Sequence, residues 1–286
     1  MKKETYENYN KIANDILYYI YTHIDLDISL DELSSNLKVS KYHMHRIFKS
    51  IFGTNIYQTI KSIRLQKAAN LLIVNANTTI SQIAKSCGYS SLSSFINAFK
   101  KEFSMTPSKW RDNGYKEYSK RLLKNEFKYS NITQFSNLSY EIVNLDKIKA
   151  YYIRHKGYDS STKEVWQKLK LFTISNNIKE FKSIALYHDN PAIKPLKECA
   201  YVAAIATKKD IKESKLPFFY ISSGVYAKFD IKGEKGDDIR LIHYIYHHFL
   251  PKHGFETTPK PSFAIYHKNH FLEEKVDLSY YVSITF

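Results

Sequence analysis

The chain lays out one helical plan twice. Residues 30–52, LDELSSNLKVSKYHMHRIFKSIF, and residues 80–103, ISQIAKSCGYSSLSSFINAFKKEF, each read as a short amphipathic helix, a turn, a capping serine and a second helix. In the first copy Leu30, Leu33 and Leu37 are the apolar positions and Lys38-Val39 the turn. Ser40 is the cap, since its hydroxyl can accept from an unpaired N–H of the first helical turn. Met44, Phe48 and Ile51 then recur at i, i+4 and i+7 on one helix face. In the second copy Ile80, Ile83 and Cys87 match the first three positions and Gly88 fits the turn. Ser90 or Ser91 supplies the cap, and Phe95, Phe99 and Phe103 the buried face. The Phe-Lys pairs at 48–49 and 99–100 stand 51 residues apart.

Between the copies runs NIYQTIKSIRLQKAANLLIV, residues 55–74. As one helix of 20 residues it would span about 30 Å at ~1.5 Å per residue. Its apolar residues, Ile56, Ile60 and Ile63, then Leu65, Ala69 and Leu72, lie on more than one face. A helix buried against a unit at each end needs that pattern. A turn of B-DNA is ~34 Å, so such a rod sets two second helices toward successive major-groove segments.

The charge agrees with a polyanionic partner. The net charge is +15, and between residues 28 and 111 there are 12 Lys/Arg against only Asp31, Glu32 and Glu102. The outward face of the first unit's second helix offers Tyr42, His45, Arg46 and Lys49. That of the second offers Ser93, Ser94, Asn97 and Lys101. His43 and His45 point roughly 200° apart on a helix and cannot share a metal.

These pieces carry a resemblance. Residues 8–115 resemble the DNA-binding domain of AraC/XylS-type bacterial transcription regulators, through SKYHMHRIFK, IRLQKAANLL and IAKSCGYSSLSSFINAFKKEFSMTPSKWR. The resemblance implies base contacts from Tyr42, His45 and Arg46 in one unit and Leu92, Ser93 and Asn97 in the other. Arg46 would suit guanine O6 and N7, and Asn97 adenine N6 and N7; many relatives carry Arg at the latter position. Lys41, Lys49, Lys100, Lys101, Lys109 and Arg111 are the expected phosphate partners, which set affinity and salt dependence. The expected partner is double-stranded promoter DNA, with RNA polymerase a further candidate.

Beyond a polar, basic stretch the texture changes to alternating, Tyr-rich segments. Strands are expected at 139–144, 149–156, 181–188 and 199–207 with a helix at 162–174, then at 217–222, 224–231, 261–267 and 278–285 with a helix at 237–250. Lys156-Gly157 recurs as Lys232-Gly233 76 residues on, SIALYHD (183–189) as SFAIYHK (262–268) after 79, and Tyr201-Val202 as Tyr281-Val282 after 80. The expected fold is thus an all-α tandem helix-turn-helix domain (8–113), a linker (114–136) and an α+β domain (137–286) of two duplicated β-β-α-β-β halves. Between the halves an aromatic-lined cleft is the expected ligand site. Ala264 and Tyr266 share a side of one strand, as do Ala185 and Tyr187 in the other half. Trp166, Tyr152, Tyr158, Tyr226 and Tyr281 are further candidates.

Residues 138–286 resemble the gyrase-inhibitor-like effector-binding domains, through RHKGYDSSTKEVWQKL, LYHDNP, SGVYAKFDIKG, HHFLPKHGFE, PSFAIYHKN and VDLSYYVSI. In many relatives the centre of PSFAIY is a buried glutamate that pairs with cationic ligands; here it is Ala264. A cation buried without that carboxylate would be costly, so the expected ligand is a non-cationic aromatic or amphiphilic molecule. His155, His188 and His267 are candidate polar contacts. The rival readings are a domain that docks a protein partner and a hydrolase fused to a DNA-binding unit. No Ser/His/Asp or Cys/His set replaces the missing glutamate, so no enzyme is expected. His243 and His247 have i, i+4 spacing without an HExxH motif, and neither a metal nor a cofactor is expected. Two cysteines, no ~20-residue apolar run and an N-terminus without a signal-type apolar core place the expected location in the cytoplasm.

Overall fold

A computed structural model describes residues 3–123, 135, 138–209, 211, 214–234, 236–267 and 275–285. Helix α1 (Lys3–Thr22) precedes the first repeat and starts ahead of the expected boundary at residue 8. Helices α2 (Leu30–Asn36) and α3 (Lys41–Phe52) form the first unit, α5 (Ile80–Ser86) and α6 (Leu92–Phe103) the second. Ser40 accepts from His43 N at 3.2 Å and Ser91 from Ser94 N at 3.2 Å, so Ser91 rather than Ser90 caps the second copy. The turns differ in chemistry. Lys38 holds φ 54° and Gly88 φ 76°, but only at Gly88 is there no room for a side chain. A Cβ there would lie 2.5 Å from Arg64 Nη2 and 2.6 Å from the Ile24 carbonyl. Arg64 passes through that gap to donate from Nε to Ile24 O (3.1 Å) and from Nη2 to Leu26 O (2.6 Å).

The spacer is one unbroken helix, α4 (Ile56–Val74) of 19 residues, about 28 Å long at ~1.5 Å per residue. Ile56 and Ile60 join Ile16, Ile20, Met44 and Phe48 in the first unit's core. Leu65, Ala69 and Leu72 join the core of Phe95, Phe99 and Phe103. Trp110 lies beside those phenylalanines and donates Nε1 to Ala69 O at 3.0 Å. A short α7 (Pro107–Lys109) leads through a kink at Asn113, φ 64°, into α8 (Tyr115–Leu123). The expected linker therefore begins as a helix, with Tyr118 against Phe103 and Trp110. Most of the rest of it lies outside the described residues.

The second half forms a sheet of β1 (Glu141–Leu145), β2 (Ile148–Lys156), β3 (Lys182–Tyr187), β4 (Ala200–Ala206), β5 (Phe218–Ile221), β6 (Gly224–Glu234), β8 (Ser262–Tyr266) and β9 (Lys275–Thr285), with a short β7 (Glu256–Thr257) on β9. Helix α9 (Thr162–Ser175) sits between β2 and β3. Helix α10 (Asp237–Tyr244) continues through a π-type bulge over Ile245–Phe249 into α11 (Leu250–His253). The strand order is β1-β6-β9-β8-β3-β4-β2-β5. The halves are duplicated, and each lends its first strand to the other: β1 pairs with β6, and β5 with β2.

The pseudo-twofold axis passes between β3 and β8, where Ala185 pairs with Ala264. Each alanine is the repeat of the other, and both are fully buried. The match of Tyr201-Val202 with Tyr281-Val282 is not structural. Ala185 pairs with Ala203 and Ala264 with Tyr280, an offset of 77 (280 minus 203) rather than 80. An odd slip of three puts Tyr201 and Tyr281 on opposite faces. One face carries Tyr187, Tyr201, Ala264 and Tyr280 under α9 and α10. The other carries Tyr152, Leu186, Val202, Phe219, Tyr226, Phe263 and Tyr281, with Tyr18 of α1 packed against it.

Candidate nucleic-acid interface and candidate ligand sites

The helix caps and the apolar faces of α3 and α6 fix which side of each helix meets water. Met44, Ile47 and Phe48 turn inward on α3, as do Phe95, Phe99 and Phe103 on α6. That leaves Tyr42 72% exposed and Leu92 42% exposed, with Arg46, Ser93 and Asn97 also exposed and His45 half-buried. Arg46 leans toward the Tyr42 ring at 5.7 Å, and His45 stacks on Tyr57 of α4 at 5.6 Å. Lys49, Lys100, Lys101 and Lys109 are exposed. Lys41 is exposed and pairs with Asp31. Arg111 is turned inward: Nη2 donates to Thr78 O at 2.7 Å and Asn75 O at 3.5 Å. These bonds tie the segment after α7 to the cap of the spacer and the loop beyond it, which turns the guanidinium away from the phosphate role expected of it.

The seven expected ligand-site residues separate onto the two faces of the sheet. Trp166, Tyr187, Ala264 and Tyr266 come together under α9 and α10. The Tyr187 and Tyr266 hydroxyls, related by the pseudo-twofold, meet at 3.1 Å, and Tyr187 donates to Asp238 Oδ2 at 3.1 Å. Trp166 donates Nε1 to the Tyr201 hydroxyl at 3.0 Å. Burial pushes the Tyr187, Tyr201 and Tyr266 hydroxyls well above the usual range and raises the Asp238 carboxyl, since each charged form would lose its water. The cluster is thus a ring of neutral hydroxyl groups round the alanine pair.

Tyr152, Tyr226 and Tyr281 face the other way. Tyr226 stands beside Phe263, and Phe263 stacks on Tyr281 at 4.7 Å. Tyr152 donates to Asn14 Oδ1 of α1 at 3.3 Å. Here the two domains enclose a cavity of about 310 Å³, lined by Tyr18, Tyr21 and Lys67 of the helical domain and by Arg154, Val202 and Phe263 of the sheet, among others. Tyr226 borders this cavity; Tyr152 and Tyr281 do not. Of the candidate histidines, His188 stacks on Tyr21 at 3.9 Å beside the cavity. His155 bonds Ser161 and His267 bonds Ser279, each at 2.8 Å. His243 and His247 stack at 4.4 Å, and burial drives the His243 imidazole down to about 4. Among the described residues no group of three or more His, Cys, Asp or Glu is placed to hold a metal. No helix among them is long and apolar enough to cross a membrane.

Sequence reasoning missed the contribution of α1 and α4 to this cavity. Two faint signals were present: Asn14 sits in the apolar stripe of Ala13, Ile16, Leu17 and Ile20, and Lys67 lies between Leu65 and Ala68-Ala69. Both are polar groups where a helix alone would want carbon, and both turn out to meet the other domain.

Comparison with known proteins agrees with both halves. Residues 33–113 match the family described as a helix-turn-helix domain, and residues 138–285, more than half the chain, match the GyrI-like small molecule binding domain. The chain is 35% identical over 105 residues to the probable transcription factor PqrA of Proteus vulgaris, 36% of this chain and 85% of that one. It is 37% identical over 100 residues to the transcriptional regulator Rob of Salmonella typhimurium, 35% of this chain and 34% of Rob. Thus it spans most of the length of the first relative and about a third of the second. Among solved structures it is similar to the C-terminal domain of AraT, a response regulator from Geobacillus stearothermophilus, at 30% identity and TM-score 0.34 over 36% of this chain and 84% of that one.

Proposed function

This chain belongs to the GyrI-like small molecule binding family and carries an AraC-type helix-turn-helix region, and from that premise we propose that it reads promoter DNA through α3 and α6 under the control of a non-cationic aromatic or amphiphilic effector. The observation that carries the DNA half is the unbroken spacer, 19 residues with a capped, outward-facing helix at each end. Its length of about 28 Å approaches the ~34 Å turn of B-DNA. Tyr42, His45 and Arg46 then address one groove segment and Leu92, Ser93 and Asn97 the next, while Lys49, Lys100, Lys101 and Lys109 meet phosphates.

Ala264 supports the effector's charge. At the axis of the tyrosine ring Ala264 supplies no carboxylate to balance a cation, and burial raises the carboxyl of nearby Asp238, so a charged form there is costly. The relatives' names are those of transcription regulators, and a non-catalytic domain is the reading we adopt. Selection of bound sequences from random duplex DNA, followed by anisotropy at 50–200 mM salt, tests the proposal. It predicts a split site with two short preferred segments and a steep loss of affinity with salt. A flat salt dependence and no enriched sequence would defeat it.

A further inference from the structure

The cavity between the domains is lined by three basic side chains, Lys67, Arg154 and Lys260, by one carboxylate, Asp25, and by a wide apolar floor; Lys260 is turned to the Ser223 carbonyl at 3.3 Å. Arg154 and Lys67 both line it, and among the described residues neither has a carboxylate within ion-pair distance. Arg154 is aimed from behind. Buried Asn14 accepts its Nε at 2.9 Å, and its guanidinium carbon lies 5.6 Å from the Tyr21 ring and 5.0 Å from that of Tyr152. Nε is engaged by Asn14 and the guanidinium also donates to the Tyr152 hydroxyl, which leaves further N–H groups to meet the oxygens of a carboxylate. Lys67 reaches in from the spacer helix, where its ammonium donates to the Pro259 carbonyl. Leu186, Val202, Phe219 and Phe263 make the floor. At about 310 Å³ the cavity lies in the ordinary range for small-molecule sites.

We propose that this cavity binds a small aromatic carboxylate, its anionic end between Arg154 and Lys67 and its ring on the Leu186–Phe263 floor. The site lies on the sheet face opposite the tyrosine ring at Ala264, so it is a second site rather than an extension of the first. Its occupant touches α1, α4 and the sheet together. Binding there holds the spacer helix against the effector domain, which links the ligand to the separation and attitude of α3 and α6. Only that consequence rests on the regulator reading; binding itself does not.

The test is calorimetry on the full chain without DNA, so that its failure and a failure of DNA recognition stay distinguishable. The probes are 2-naphthoate and its uncharged isostere 2-naphthamide. The carboxylate is expected to bind about tenfold or more tighter than the amide, the share expected of charge-assisted hydrogen bonds. Arg154→Gln and Lys67→Met should each remove that preference, whereas Lys182→Gln, an exposed charge on β3, should leave it. Thr22→Trp tests location, because Thr22 is an exposed residue at the cavity and a bulky ring there fills the space without disturbing a core. It should abolish binding of both probes. Equal affinity for acid and amide, binding that survives Arg154→Gln or Thr22→Trp, or no binding at 1 mM probe would each overturn the proposal.

Discussion

Asn75 and Thr257 pair like two strands of a sheet, although one is a side chain. The Asn75 amide donates to Thr257 O at 3.0 Å while its carbonyl accepts from Thr257 N at 2.9 Å, and both residues are buried. Asn75 caps the C-terminus of the spacer helix, and Thr257 belongs to β7 on the sheet. One residue away, Glu256 accepts from Thr78 at 2.7 Å. The seam between the domains is thus built on the rod that sets the spacing of the two reading helices.

Removing that pair should weaken the whole molecule. Asn75→Ala leaves a buried N–H and a buried carbonyl without partners, at a cost of roughly 1–3 kcal/mol. Urea unfolding of the full chain should show a lower midpoint, and an unchanged midpoint would mean that water replaces the amide at no cost.

Base and phosphate contacts should separate in DNA-binding measurements. Arg46→Ala should cost about 1–3 kcal/mol and relax choice at one base pair. Lys100→Ala should weaken all sequences alike and lower the salt slope by about 1. If Arg46→Ala kept the same sequence preference, its assignment to a base edge would be wrong.

Ala264→Glu places a carboxyl beside Ala185 in the neutral tyrosine ring. Burial and the buried Asp238 nearby would raise its pKa in the folded state above the unfolded value. The folded state then holds the proton more tightly, so the variant's penalty is greatest at neutral pH and fades as pH falls toward ~4, the unfolded carboxyl range. The gap between thermal melts of variant and parent should narrow from pH 8 to 4, leaving at the acid end only the cost of fitting the larger side chain. The charged form should also acquire affinity for tetraphenylphosphonium that the parent lacks; parallel melting curves across the whole range would show that the carboxyl is solvated.

Lys67 gives the opposite slope. Burial lowers its ammonium to about 8, partly offset by the neighbouring Cys87 and Asp25. Since the unfolded lysine titrates near ~10.4, the unfolded chain binds the extra proton between these values, and stability gained from this group rises as pH climbs from about 8 to ~10. Comparison with Lys67→Met isolates that slope. An aromatic carboxylate bound beside it should draw a proton from buffer near pH 8, visible as a buffer-dependent heat; equal heats in two buffers of different ionisation enthalpy would count against the contact.

Much of this was legible in the sequence because the information is local. Caps at Ser40 and Ser91, the phenylalanine face of α6 and the unbroken spacer follow from helix periodicity, and each strand of the duplicated domain follows from alternation. Those patterns fixed two reading helices, their polar faces and a twofold pair of half-sheets. Tertiary structure decided what periodicity cannot carry: which strand neighbours which, and which face meets what. The exchange of β1 and β5, the slip that sends Tyr281 away from Tyr201, the inward turn of Arg111 and the meeting of Arg154 with Lys67 depend on residues far apart in the chain. Their positions are set by the packing of one domain's apolar surface on the other's, and no local spacing records that choice.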